Sequence, residues 1–401
     1  MARARRNELA HAFGRLWWLV ALATACGASS AGESEDAGAD SPVVEAASDA
    51  GADVTSGDAK EGSTPDAAPE HDASTPLDAG GVDAAEASAE AATDAQPETG
   101  PCGGPCQPVV LASGQSKPYG IAVDGVNVYW TNISTPTVGT VMKCAVGGCG
   151  NQPTMLASAQ NAPEGIAVDA TNVYWADGLG GTILSCAKAG CGGSPKTLVS
   201  GQLMAPGPVA IDSQSVYWAD VAGAGSVSAC ALGGCGGKPR TIASPDDLPI
   251  GIATDGTNVY WTNSGSNDVA ECPVGGCPSG SGAGVTLAAG QSYPNGIVVS
   301  AGNVYWANTN GGTIMKCAVG GCGGSPTPLV SGEVDPFGLA TDGVNLYWTN
   351  VNGGTVVSCP IGGGATSTLA TGQQFPVGIA VDATAIYWTN ENGGSVMRLA
   401  K

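Results

Sequence analysis

Beyond residue 101 the chain has no histidine, since its two, His11 and His71, both lie upstream. A serine or cysteine nucleophile usually needs an imidazole base, so this absence removes the commonest route to nucleophilic catalysis. Basic residues are scarce as well. The last 300 residues hold nine Lys and Arg against sixteen Asp and Glu, so nucleic acid is not expected as a partner. No phosphate-cradling loop occurs, because Gly237 and Lys238 are followed by Pro239 rather than Ser or Thr. Long apolar runs are missing too. The one stretch of that kind, Leu16 to Ala25, is too short to span a membrane.

What is present falls into three zones. Residues 1–26 carry Arg3, Arg5, Arg6 and Arg15 ahead of the apolar run, then small residues before Cys26, the pattern of a secretory address. Residues 27–101 contain eighteen acids, one lysine (Lys60) and no aromatic residue. Such a segment buries too little apolar surface to offset the entropy of ordering and is expected to be a disordered, acidic linker. Residues 102–401 are rich in Gly and Cys and form the part expected to fold.

That third zone is a repeat. Seven Tyr-Trp dipeptides end at Trp130, Trp175, Trp218, Trp261, Trp306, Trp348 and Trp388, a period of 40 to 45 residues. Each unit parses into four short β-rich runs separated by Gly, Asn, Asp and Pro. In the first unit they are strand A at Ile121–Val123, B at Val128–Thr131, C at Thr140–Cys144 and D at Thr154–Ala157. Both faces of each sheet are largely apolar, as blades packed between two neighbours require. The expected fold is therefore all-β: a seven-bladed β-propeller of four-stranded antiparallel blades, preceded by the disordered acidic linker. A D-like run, Val109 to Ala112, precedes the first A strand, and the last unit stops after its C strand at Lys401. The N-terminal strand is thus expected to complete the seventh blade and leave no open edge.

Two resemblances bear on this reading. GIAVD, a short turn and then YWTN, YWAD or YWAN are similar to the YWTD class of propeller repeats, over residues 108–401. That class implies a ligand-binding or protein-binding module whose motif residues hold blades together. This chain departs from it in having seven units rather than six, and in its cysteine pairs. Small residues before Cys26, followed by Gly27, Ala28 and Ser29, resemble the bacterial lipobox. The resemblance implies lipidation at Cys26, with plain secretory cleavage as the alternative. Residues 27–101 would then be a tether holding the domain off a membrane that it meets through the lipid anchor only. The expected location is the bacterial cell envelope, as an outer-membrane, periplasm-facing or surface lipoprotein.

Ten cysteines repeat one spacing: Cys144 and Cys149, Cys186 and Cys191, Cys230 and Cys235, Cys272 and Cys277, Cys317 and Cys322. Each pair brackets the loop between strands C and D, so five local disulfides are expected. Zinc fails as a reading, because a structural site needs about four ligands and these pairs sit on separate blades. Neither metal nor cofactor is expected. Cys102 with Cys106 makes the simplest remaining bridge. It leaves Cys359 as a buried thiol or an intermolecular link.

Function is expected where the repeats disagree. A Pro-x-Gly pattern leading into strand A changes its middle residue from unit to unit: Tyr119, Glu164, Ile250, Asn295, Phe337 and Val377. The loops after Tyr-Trp begin with Asn132, Asp177, Asp220, Asn263, Asn308, Asn350 and Asn390. Both sets belong to the D–A and B–C face, opposite the cysteine hairpins. We therefore take Tyr119, Glu164, Asp177, Asp220, Asn263, Asn295, Asn308, Phe337, Asn350 and Asn390 as candidate ligand contacts. Within residues 102–401, Tyr293 and Phe375 are the other aromatics outside the Tyr-Trp pairs. The expected activity is binding of an envelope glycan or protein by a monomer. A structural or adhesive role is the alternative, and carboxylate- or metal-dependent lysis or hydrolysis through Glu164 with Asp177 or Asp220 ranks below both. The Asp that ends each AVD-like run (Asp124, Asp169, Asp212, Asp255, Asp342, Asp382) is read as turn chemistry.

Overall fold

The computed structural model describes residues 107–401, apart from 135–137, 202, 204, 245 and 279–281. Cys26, the address segment, the acidic linker and the Cys102–Cys106 pair lie outside the described residues. The described chain forms seven separate four-stranded antiparallel sheets, the blades of a propeller. Blade 1 consists of β2 (Pro118–Val123), β3 (Asn127–Asn132), β4 (Gly139–Ala145) and β5 (Thr154–Gln160), which serve as strands A to D. Five further blades follow in chain order. The seventh combines β26 (Pro376–Val381), β27 (Ala385–Asn390) and β28 (Ser395–Ala400) with β1 (Val109–Ala112), in the order β1-β28-β27-β26. The expected closure is therefore observed.

Alternation along strand B explains the packing. Trp130 and Tyr129 point to opposite faces, so each blade offers a Trp to one neighbour and a Tyr to the other. Seven inter-blade cores result. Tyr129 shares one with Trp175, Tyr174 with Trp218, and so on round the ring, until Tyr387 meets Trp130 across the seam. All seven Trp side chains are fully buried. Truncating any one to Ala should cost about 3–5 kcal/mol.

Strand A is longer than the sequence pattern suggested, because Pro-x-Gly belongs to the strand rather than to a loop before it. Pro118 pairs with Asn132 and Ile121 with Trp130, which leaves one extra residue on strand A. All seven A strands carry this irregularity. Such a bulge re-aims a side chain, and here it turns the x residue toward the central channel. In six blades the following residue is Gly, and it is needed there: a Cβ on Gly120 would overlap the carbonyl of Glu164 in the next blade, and one on Gly378 the carbonyl of Tyr119, whereas blade 3 has Pro208 at that position.

Three polar devices recur among the blades. Asp124 accepts the N–H groups of Val126 and Asn127, and its second oxygen accepts the Tyr129 hydroxyl at 3.0 Å. This matches the expected turn role of the AVD aspartates. At the opposite end, one side chain before strand A accepts two donors: Gln373 Oε1 takes Trp388 Nε1 and Asn390 Nδ2, both at 2.9 Å. Where the motif has Thr, its hydroxyl joins blades: Thr131 accepts the Gly120 N–H and donates to the Glu164 carbonyl. The five expected disulfides are formed, and each closes a C–D hairpin. Cys359 is a buried free thiol.

Candidate functional site

The channel opens on the D–A and B–C face into a cavity of about 200 Å³. A backbone link that recurs in every blade builds its rim. The residue before each strand-A proline adopts a left-handed conformation: Lys117, Ala162, Ala205, Leu248, Tyr293, Asp335 and Phe375 all have φ between 56° and 60°. L-residues pay roughly 1–2 kcal/mol for this conformation. The turn brings the carbonyl of that residue to the B–C loop, where it accepts the N–H of the residue after the Tyr-Trp-x-Asn/Asp run. Examples are Thr309 to Tyr293, Val351 to Asp335 and Glu391 to Phe375. Each blade can therefore present three adjacent positions to the mouth: the pre-proline residue, the bulge residue and the residue after Asn or Asp.

All six variable bulge residues line this one cavity: Tyr119, Glu164, Ile250, Asn295, Phe337 and Val377. Blade 3 contributes Gly207 at the same position. Of the candidate ligand contacts, Tyr119, Glu164, Asn295 and Phe337 are thus brought together. Tyr293 and Phe375 join them through the pre-proline position. Tyr119, Tyr293, Phe337 and Phe375 are partly exposed, unlike the Tyr-Trp aromatics.

The Asn and Asp candidates are placed differently. Asp177, Asp220, Asn263, Asn308, Asn350 and Asn390 are buried at the ends of their B strands and do not line the cavity. The Asn side chains are occupied within their own blades. Asn308 Nδ2 donates to Gln291 and Thr313, and Asn350 Nδ2 to Glu333 and Thr355. Asn263 bonds Asp246 and Asp268, and Asp220 accepts the Ser226 hydroxyl. Their place as direct contacts is therefore corrected: they are inward staples of the B–C turn. The turn points the next residue, not the Asn, into the channel. Val221, Thr309, Val351 and Glu391 occupy that next position and line the cavity. The same unit-to-unit variation that marked the bulge positions also marks these, with Ile133, Gly178 and Ser264 in the other blades.

Electrostatically the cavity is one-sided. Glu164, Asp335 and Glu391 line it, and among the described residues no Lys or Arg does. Glu164 is only 6% exposed. Burial, reinforced by the nearby Asp177 carboxylate, raises its carboxyl to about 8. Burial likewise raises Asp177 to about 6, although the Asn161 N–H opposes it. Room for the Glu164 side chain comes from blade 3, since a Cβ on Gly207 would sit 3.1 Å from Glu164 Oε2 and 3.3 Å from Val221 Cγ1. Among the described residues, no group of three or more His, Cys, Asp or Glu is arranged to hold a metal ion.

No protein-family model and no curated protein sequence matches the chain. Its shape is similar to that of virginiamycin B lyase from Staphylococcus aureus, with TM-score 0.59 and 15% identity over 74% of this chain and 99% of that one. A catalytically inactive histidine-to-alanine variant of that lyase, solved with quinupristin, matches equally well. A streptogramin B lyase structure also matches (TM-score 0.59, 12% identity, 73% of this chain and 97% of that one). So does the computationally designed Ika8 protein (TM-score 0.52, 13% identity, 73% and 98%). At these identities the likeness is one of fold, the closed propeller.

Proposed function

We propose that the chain is a YWTD-like propeller lipoprotein of the bacterial cell envelope that binds a glycan or protein ligand in the cavity on its D–A and B–C face. One observation carries this reading. The positions at which seven otherwise similar units differ converge on a single pocket, where aromatic side chains stay partly exposed beside a few polar groups. Framework residues are spent on holding blades together, whereas Tyr119, Phe337 and Phe375 are not needed for that. Partly exposed rings beside amide and carboxyl groups suit stacking on a sugar or anchoring of a peptide.

The lyases of similar shape supply a contrast. Loss of a histidine inactivates one of them, and the propeller region of this chain has no histidine to supply. A second reading, carboxylate-dependent lysis or hydrolysis, draws on the Glu164–Asp177 pair. It ranks lower because Glu164 lines the cavity and Asp177 does not.

The test is a screen of the protein against envelope glycans and lysate proteins, with Tyr119→Ala plus Phe337→Ala as the comparison. Binding should fall by about tenfold or more in the double variant. Undiminished binding removes the proposed surface, and conversion of a captured glycan would favour the second reading.

A further inference from the structure

The charge of the domain is divided between its two faces. The half of the blades toward the D–A and B–C loops holds nine of the sixteen acids and a single base, Lys117. The half toward the cysteine hairpins holds the other seven acids and eight bases. On that hairpin side, acids and bases neutralise one another, as Lys188 does with Asp124 and Lys401 with Asp342, both at 2.6 Å. On the cavity side the acids outnumber the bases nine to one.

Glu164 shows this most sharply. Its carboxyl lies against the cavity, more than nine-tenths buried. Among the described residues no side chain or backbone group hydrogen-bonds it, although its own backbone carbonyl is fully used by Thr131. A buried carboxylate without a donor is costly, and the cost is relieved when a cation supplies both charge and hydrogen bonds. The walls beside it are not those of an inorganic ion site. They are aromatic and aliphatic: Tyr119, Phe337, Phe375, Ile250 and Val377. Aromatic faces attract organic cations through the ring quadrupole.

We propose that this cavity recognises a positively charged organic group, an ammonium or guanidinium, which the Glu164 carboxylate holds while Tyr119, Phe337 and Phe375 enclose its alkyl or ring portion. This rests on the binding reading above and names the chemistry of its ligand. Such a group can come from an amino sugar or from a lysine or arginine of a partner protein. The acidic face would draw either toward the mouth.

Proton linkage gives the inference a signature. The titratable groups that share the cavity region with Glu164 are Asp177 on its own blade, Tyr119, Tyr293, Asp335 and Glu391. Below about 8 the empty site holds a proton on Glu164, which a cation must displace. Affinity for a cation that keeps its own charge across this range, such as a lysine ammonium, should therefore rise as pH rises from 6 to 8. A neutral ligand that accepts a hydrogen bond from protonated Glu164 would show the reverse.

Calorimetric titration of the protein, with its Glu164→Gln and Tyr119→Ala plus Phe337→Ala variants, tests this with two matched pairs. The pairs are a glucosamine trimer against its N-acetylated form, and a short peptide with one free lysine against its acetyl-lysine counterpart. Calcium chloride serves as the inorganic comparison. At least one cationic member should bind, more tightly at pH 8 than at pH 6, with acetylation weakening it about tenfold or more. Glu164→Gln should erase that preference, and far-UV circular dichroism of the variant establishes that it is folded. The inference is overturned if no cationic probe binds, if acetylated and free forms bind alike, or if affinity for the lysine peptide falls with rising pH. It is equally overturned if Glu164→Gln keeps the preference, or if calcium alone binds in a Glu164-dependent way. A neutral ligand whose binding still depends on Tyr119 and Phe337 would leave the general binding reading standing while this one fell.

Discussion

The Thr389 hydroxyl donates a 2.7 Å hydrogen bond to the carbonyl of Tyr119, 270 residues earlier in the chain. The same oxygen accepts the Gly378 N–H at 3.0 Å. One side chain therefore satisfies the bulge in blade 7 and joins it to blade 1, at the seam where no chain connects the two A strands. It also fixes the backbone that aims Tyr119 into the cavity.

Thr389→Ala should lower stability by about 1–2 kcal/mol, through loss of two hydrogen bonds at a buried seam. The fold will survive, because Ala176, Ala219 and Ala307 occupy the same motif position in three other blades. Urea unfolding should show a lower midpoint at unchanged slope. An unchanged midpoint would mean that the seam is held by the β1–β28 pairing and the apolar cores alone.

Trp218 is the exception among the blade tryptophans. In the other six blades a Gln, Asp or Glu fifteen residues earlier accepts the indole N–H, as Gln160 does for Trp175 at 2.8 Å. Blade 3 has Leu203 there, and the buried Trp218 Nε1 has no partner among the described residues. Leu203→Gln should supply the missing acceptor and raise stability by roughly 0.5–1.5 kcal/mol. The reverse change in blade 7, Gln373→Leu, should cost about 1–3 kcal/mol, since it strips an acceptor from Trp388 and Asn390 together. Chemical denaturation of both variants checks the pair, and equal signs would refute the account.

Glu164 makes the cavity a place where stability and binding oppose each other. Because its folded value lies near 8 and its ordinary value is 4.5, the folded state keeps a proton that the unfolded chain has released. Stability therefore declines as pH rises across that interval. Glu164→Gln should raise the melting temperature by on the order of 5 °C at pH 8 and change it little at pH 4.5. At the hairpin face the sign reverses. Burial alone would raise Asp124 and Asp342, but Lys188 and Lys401, with backbone N–H groups and the tyrosine hydroxyls, bring both to about 2. Their contribution is complete above the ordinary carboxylate value of 3.8 and is lost as pH falls toward 2. Melting curves from pH 2 to pH 9 should show both slopes.

Much of this architecture is legible in the chain alone because a propeller repeats its physics. The seven Tyr-Trp pairs occur once per blade, since each inter-blade core needs one large ring from each side. The position of Val109–Ala112 ahead of the first A strand is enough to specify the closure, and the five-residue spacing of Cys144 and Cys149 is enough to specify a hairpin bridge. Tyr119, Glu164, Asn295 and Phe337 stand out because they vary where their neighbours do not. Variation marks positions released from holding the scaffold.

Only the tertiary structure decided which polar residues face inward and which face the channel. Asn308 and Asn350 look like loop donors in the sequence, yet their amides are consumed by Gln291 and Glu333 from the preceding turn. Thr309, Val351 and Glu391 line the cavity instead. The B–C turn makes that choice, and on strand A the one-residue bulge behind each proline does the same for the x residue. It reverses the facing of a side chain without changing the residue pattern around it. The isolation of the Glu164 carboxyl was likewise invisible in one dimension. It depends on Gly207 in the next blade leaving space, on Asp177 lying close and on no donor among the described residues reaching it, three facts that exist only once the blades have folded and packed together.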